Sequence, residues 1–301
     1  MKILQPLLYF SIFNHPLKKE EVFSFSSIKD LKQLDEDLNV ALNKNIICKT
    51  KDYYHYHQHE NTIQKREEGN IKAELALKKA KKRAKFIYKY FPFVEGVAIS
   101  GSLSKGYFDS KSDADFFIIT SPNKLWTCKM IFILFKKFFL LNSKKFFCIN
   151  YLISSDNLEI PEKNRFTATE ISTLLPIHGQ VFNDFFNQNN WYKNYLPNKS
   201  INREIEETPT KNKIITIIEK SNISFFGNWI ENICFRIIFF VWKIKYSHKM
   251  SDEDFAIAFK SSKKVSKHHP SNFQKKVIDS LNNKYKEVKE KYLMEFPEEH
   301  V

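Results

Sequence analysis

Two aspartates, Asp113 and Asp115, open the apolar run Asp115–Thr120 (DFFIIT), whose aromatic and β-branched residues predict a strand. Residues two apart on a strand share a face, so both carboxylates project to one side. Such neighbours repel unless a cation lies between them, and hard oxygen ligands of this kind suit Mg2+ or Mn2+. Upstream, Gly101-Ser102 closes a second strand-like run, Val94–Ser100 (VEGVAIS). Glycine lets a ligand approach the backbone closely, and a short helix after it would point free N–H groups at an anion. Ser102 can donate to a phosphate oxygen, and Lys105 can contact a triphosphate from the same loop. The chain has only six glycines, and Gly101 and Gly106 both fall here. Together these parts suit metal-assisted phosphoryl or nucleotidyl transfer.

Gly-Ser, a spacer, then Asp-x-Asp at the head of a strand resembles the DNA polymerase β-like nucleotidyltransferase superfamily. The resemblance covers Gly101–Thr120 closely and the surrounding strand order loosely. Short runs elsewhere (LYFSIFNHPL, SGSLSKG, CINYLIS and Asn189–Trp191) also resemble bacterial nucleotidyltransferase-domain proteins. The resemblance implies an α+β fold with a small mixed sheet flanked by helices. It implies an enzyme that moves a nucleoside monophosphate from an NTP to an acceptor. Asp113 and Asp115 would be catalytic and would hold Mg2+ (or Mn2+), while Gly101, Ser102 and Lys105 would bind the nucleotide. Active members usually add a third carboxylate from a later strand. Here the matching strand is Phe146–Ile153, and the matching position is Asn150, expected on one face with Phe146, Cys148 and Leu152. Asparagine can offer a metal its carbonyl oxygen but is a poor base. Asp156 and Glu159 lie just beyond. The alternative is a catalytically degenerate protein of the same fold that binds nucleic acid or protein as a regulator.

The supporting elements divide the chain into four parts. In 1–60, helices are expected at Leu4–Phe13, at Leu17–Phe25 entered through Pro16, and at Ile28–Leu42, followed by strands Ile46–Thr50 and Tyr53–His57. Three helices and a hairpin resemble a winged helix. Residues 61–92 read as a connecting helix. Residues 93–200 hold the nucleotidyltransferase strands, an apolar helix at Leu125–Leu141, and a helix at Phe166–Leu175 that stops before Pro176. Residues 201–301 read as all-helical (Lys211–Lys220, Phe225–Ile244, Asp252–Ser266, Asn272–Leu293) with a frayed C-terminus.

Charge and composition bound the partners. A net charge of +14 allows nucleic acid, an anionic membrane or a phosphorylated substrate. Only five of the 48 basic residues are arginine, so arginine-rich readout of phosphates or bases is not evident. The lysine run Lys78–Lys85 reads as a solvated helix face, leaving nucleic acid possible through the basic N-terminal region. The four cysteines have neither zinc nor disulfide spacing. With no cleavable leader evident, a cytoplasmic location is expected. Met130–Leu141 and Ile233–Ile244 are too short and too broken by Lys and Arg to span a bilayer, though apolar faces beside lysines suit a peripheral contact. Asp109 reads as a turn residue. His55, His57 and His59 read as a solvated hairpin face, His268-His269-Pro270 as a helix break, and Trp191, Trp229 and Trp242 as core or interface anchors.

Overall fold

Two antiparallel and mixed sheets and the helices packed on them make up the computed structural model. It describes residues 1–56, 61–143, 145–201, 203–221, 225–246, 248, 255, 259, 261–267 and 272–300. The first element, α1 (Leu4–Ser11), is apolar on nearly every side and is correspondingly buried. Leu17 and Lys18, expected as helix, instead form a short strand, β1, ahead of α2 (Lys19–Ser24). Glu21 explains the boundary, because its carboxylate accepts from the Lys18 N–H at 2.7 Å and caps the helix there. Helix α3 (Leu31–Asn43) starts where Asp30 accepts from the Gln33 N–H at 2.8 Å. Strands β2 (Cys48–Thr50) and β3 (Tyr53–His55) follow, and β1 joins them in the antiparallel order β1-β3-β2.

Helix α4 (Thr62–Tyr90) buries Ala73, Ala76, Ala80, Ala84 and Ile87, a stripe at three- and four-residue spacing. These small side chains let it lie close over β4 (Val94–Ser100). A five-stranded mixed sheet holds the expected strands and two unexpected ones, in the order β7-β4-β5-β6-β8. Strand β5 (Asp115–Thr120) is antiparallel to β4 and parallel to β6 (Cys148–Ser154), and α6 (Leu125–Phe139) makes the crossover.

The strand β7 (Leu175–His178) lies where a helix end was expected, and the helix before it, α7 (Arg165–Ser172), is correspondingly shorter. Pro176 sits within β7, which it can do because β7 is an edge strand and an edge N–H can be spared. The other edge, β8 (Val265–Lys267), overturns the all-helical reading of the last hundred residues and takes up the end of the helix expected at 252–266, of which residues 252–254, 256–258 and 260 lie outside the described residues. The remaining helices are α8 (Val181–Gln188), α9 (Lys213–Ser221), α10 (Phe225–Tyr246) and α11 (Phe273–Tyr292), with a 3-10 turn at Asn190–Asn194.

Alternation along the strands sends side chains into two cores. Ala98, Phe117, Ile119 and Ile153 pack with residues of α1, α3, α7, α8 and α11 on one face. Val97, Ile99, Phe116, Ile118 and Leu152 pack with α4, α6 and α10 on the other. The segment expected to fray is tied down at Glu299 and His300. Glu299 is buried, pairs with Arg165 at 3.2 Å and exchanges two hydrogen bonds with Asn282, while Asn164 donates to the carbonyl of His300. Among the described residues no helix is long and apolar enough to cross a membrane.

Candidate active site

Strand β4 ends at Ser100, and the chain turns sharply at Gly101, whose φ is +69°. A side chain there would be strained, and its Cβ would fall 2.4 Å from Oδ2 of Asp115. Gly101 therefore does two things: it makes the turn and leaves room for the carboxylate, since Ser100 and Asp115 are register partners across the β4–β5 pair. One helical turn, α5 (Gly101–Ser104), follows and carries Ser102 into the same space.

Beyond it, Gly106 ends the turn with φ +74°. The ring of Tyr107 then packs against Gly69 of α4, where a Cβ would come within 2.3 Å of it. The Phe108 N–H donates to the Gly69 carbonyl at 3.1 Å. Asp109 is a turn residue, as expected: it accepts from the N–H groups of Lys111 and Ser112 and from the Ser112 hydroxyl. Lys145 locks this loop, its ammonium donating to the carbonyls of Asp109, Ser110 and Ser112 at 2.7–3.0 Å. Asp113 follows directly, so its position is set by that clamp. Sequence reasoning missed Lys145, because a lysine among so many carries no local signal.

Asp115 heads β5. Its Oδ1 accepts from the amide nitrogen of Asn150 at 2.6 Å, and the Asn150 oxygen accepts from the Cys148 thiol at 3.2 Å. Asn150 is therefore held as a donor to the carboxylate, not as an oxygen ligand beside it. The cause is a bulge: Phe116 pairs with Ile149 and Phe117 with Tyr151, leaving Asn150 as the extra residue. The bulge rephases the strand, so Cys148, Asn150 and Tyr151 all line the cavity while Leu152 enters the opposite core. The expected shared face of Asn150 and Leu152 does not form. Burial pushes the Asp115 carboxyl up to about 6; the Cys148 thiol opposes this, while the charges of Asp113 and Glu170 add to it and Lys105 eases it.

Asp113, Asp115, Gly101, Ser102, Lys105 and Asn150 all line one cavity of about 960 Å³. Lys105 is partnered here, its ammonium donating to the Gly101 carbonyl at 3.0 Å and to Glu170 of α7 at 2.8 Å. Glu170 and Glu162 are the acids that sequence reasoning missed. Asp156 pairs instead with Lys264 and Glu159 with Lys163, and neither lines the cavity. The N-terminal segment supplies a further wall with Tyr9, Phe10, Phe13 and His15. Burial, with the nearby Arg66 and Lys105 charges, holds the His15 ring down to about 3, so it is neutral at physiological pH. Arg66 ties α4 to that segment through Glu21 at 2.6 Å and the Pro16 carbonyl. Phe166 of α7 and Phe273 of α11 complete an aromatic end.

Other expectations fall away from this cavity. His55 is buried and contacts the Thr50 hydroxyl at 3.2 Å, so it is not on a solvated face. His57, His59 and His268-His269-Pro270 lie outside the described residues. Trp242 is a core residue, Trp191 donates to Asn189, and Trp229 is exposed. All four cysteines are free thiols. Among the described residues no group of three or more His, Cys, Asp or Glu side chains forms a metal cluster. Comparison with family patterns, curated proteins and solved structures returned no match.

Proposed function

We propose that the protein is a metal-dependent nucleotidyltransferase that moves a nucleoside monophosphate from an NTP to a small-molecule acceptor. The observation that carries this reading is the packing of the Asp115 carboxylate against the Gly101 turn, within a cavity that Asp113 and Ser102 share. The residues fit a divalent cation. Asp113 and Asp115 bear on one another electrostatically, and a cation between them would relieve the repulsion. They would supply two of the roughly six oxygen ligands that Mg2+ takes, with phosphates and water supplying the rest. Bound Mg2+ would neutralise charge on the triphosphate as pyrophosphate leaves.

The chain's own residues would do the remainder. Ser102 and the N–H groups of the Gly101 turn would hold the terminal phosphates. Lys105 would exchange its Glu170 partner for phosphate oxygens, which frees Glu170 to take the proton of the acceptor hydroxyl. The acceptor oxygen then bonds to the α-phosphorus as the bond to pyrophosphate breaks. Asn150 would orient Asp115 as a hydrogen-bond donor.

The cavity favours a small acceptor. Its volume holds a nucleotide and a second small molecule, and α1, α7 and α11 wall it with aromatic rings. The order α1-β1-α2-α3-β2-β3 of residues 4–55 supports a winged-helix-like reading. Yet α3, the helix that would enter a DNA groove, carries Asp35, Glu36 and Asp37 against a single lysine. A nucleic-acid-binding regulator is therefore the weaker reading; its support is Asn150 standing where a third acid is expected.

Turnover tests the choice. Pyrophosphate release would be followed with each NTP and Mg2+, adding either a low-molecular-weight extract or protein and RNA fractions. Release with the small-molecule fraction, abolished in Asp113→Asn/Asp115→Asn, is expected. Label from the NTP appearing on protein or RNA would overturn the small acceptor, and no release with any fraction would favour the regulator.

A further inference from the structure

Helix α10 has two apolar faces. Cys234, Ile238 and Trp242 form the buried one, packed toward α6. Trp229, Ile237, Phe240, Val241 and Ile244 recur at three-, four- and eight-residue spacing on the outside, where Phe240 is 64% exposed. The C-terminal end of α6 likewise presents Phe138 and Phe139, which are 68% and 74% exposed. Helix α9 contains four isoleucines and no buried residue, with Ile214 and Ile217 both about two-thirds exposed. Helix α10 packs on α6, and α9 lies near the start of α6. Glu219 of α9 accepts from the Phe93 N–H, and Lys124, which caps the start of α6, lies over the Phe93 ring.

The outward charges on these helices have one sign. Lys136, Lys137, Lys213, Lys220, Arg236, Lys243 and Lys245 accompany the apolar residues, whereas α6 has no acid at all. The acids of the other two helices are turned inward. Glu231 is buried and accepts from the N–H groups of Trp126 and Thr127, and Glu219 pairs with Lys211. A second copy placed against this surface would set lysine against lysine. A partner with an apolar interior behind a negative surface meets both features at once.

We propose that the outer faces of α6, α9 and α10 seat the protein peripherally on an anionic lipid bilayer. Phenylalanine, tryptophan and isoleucine side chains enter the acyl boundary, and the flanking lysines meet the headgroups. This docking is independent of the cavity chemistry on the far side of the sheet.

The test is co-sedimentation of the full chain with vesicles of phosphatidylcholine alone or mixed equally with phosphatidylserine. Two variants accompany the wild type: Phe139→Ser/Phe240→Ser, and Lys136→Glu/Lys137→Glu/Lys243→Glu. All these side chains lie at the surface except Lys136, which is partly covered, and unchanged circular dichroism would verify folding. Binding is expected to the mixed vesicles only, and to fall at least tenfold in either variant and at high salt. Binding to neither vesicle, or binding that neither variant weakens, would overturn the proposal. So would a wild-type dimer that Phe139→Ser/Phe240→Ser dissociates in light scattering, because the face would then belong to a second copy.

Discussion

Asp115 is the residue on which the proposed chemistry turns, and its environment makes a pH-dependent statement. Its folded value of about 6 lies above the ordinary 3.8, chiefly because it is buried, with Asp113 and Glu170 adding repulsion. The native state therefore holds the proton more tightly than the unfolded chain does. Stability is lost as pH rises from about 4 to about 6, and it stays lost above that range. Asp115→Asn removes the charge yet keeps an oxygen for the Asn150 amide to donate to. It should stabilise the metal-free protein at about pH 8 by on the order of 2 kcal/mol, read as a raised melting temperature, with the gain vanishing near pH 4. Equal melting curves for the two proteins across that range would mean that Asp115 carries no repulsion for a cation to relieve. The pair itself was legible in the sequence, since Asp-x-Asp at the head of an apolar run has few other uses. Glu170 was not, because it reaches the cavity from a helix, and helices bring distant chain positions together without leaving a local pattern.

Elements set how accurately those residues are held. The loop carrying Asp109–Asp113 has no regular structure and depends on Lys145, whose ammonium also lies 4.6 Å from the Phe108 ring centroid. Lys145→Met should keep the packing but release three carbonyls. Magnesium-dependent nucleotide affinity should then fall about tenfold, the scale of a lost charged hydrogen bond, with little change in melting temperature. Titration calorimetry of both proteins measures this, and unchanged affinity would show that the loop holds Asp113 without the clamp. The three central strands, β4, β5 and β6, could be read from their β-branched and aromatic runs. Pro176 hid β7, since proline argues against a strand anywhere but an edge. Strand β8 is three residues long in a polar, lysine-rich stretch, too short to show alternation. The bulge at Asn150 was equally hidden: a register shift belongs to a pair of strands, and one strand's sequence does not contain it.

At the scale of the whole molecule, the cavity is a joint product of distant segments. Phe10 and His15 come from the start of the chain, Gly101 and Asp115 from its middle, and Phe273 from near its end. A ligand there contacts segments that local sequence reading treats as separate parts, so its binding should stabilise the entire fold. The most direct measurement is a thermal-shift titration with ATP, GTP, CTP and UTP, each with and without Mg2+, on the wild type and on Asp113→Ala/Asp115→Ala. At about 100 times its dissociation constant, a nucleotide should add roughly 2.7 kcal/mol of stability. The account predicts a shift with at least one nucleotide that requires Mg2+ and is lost in the double variant. A shift of equal size without Mg2+, or one that survives loss of both aspartates, would contradict it.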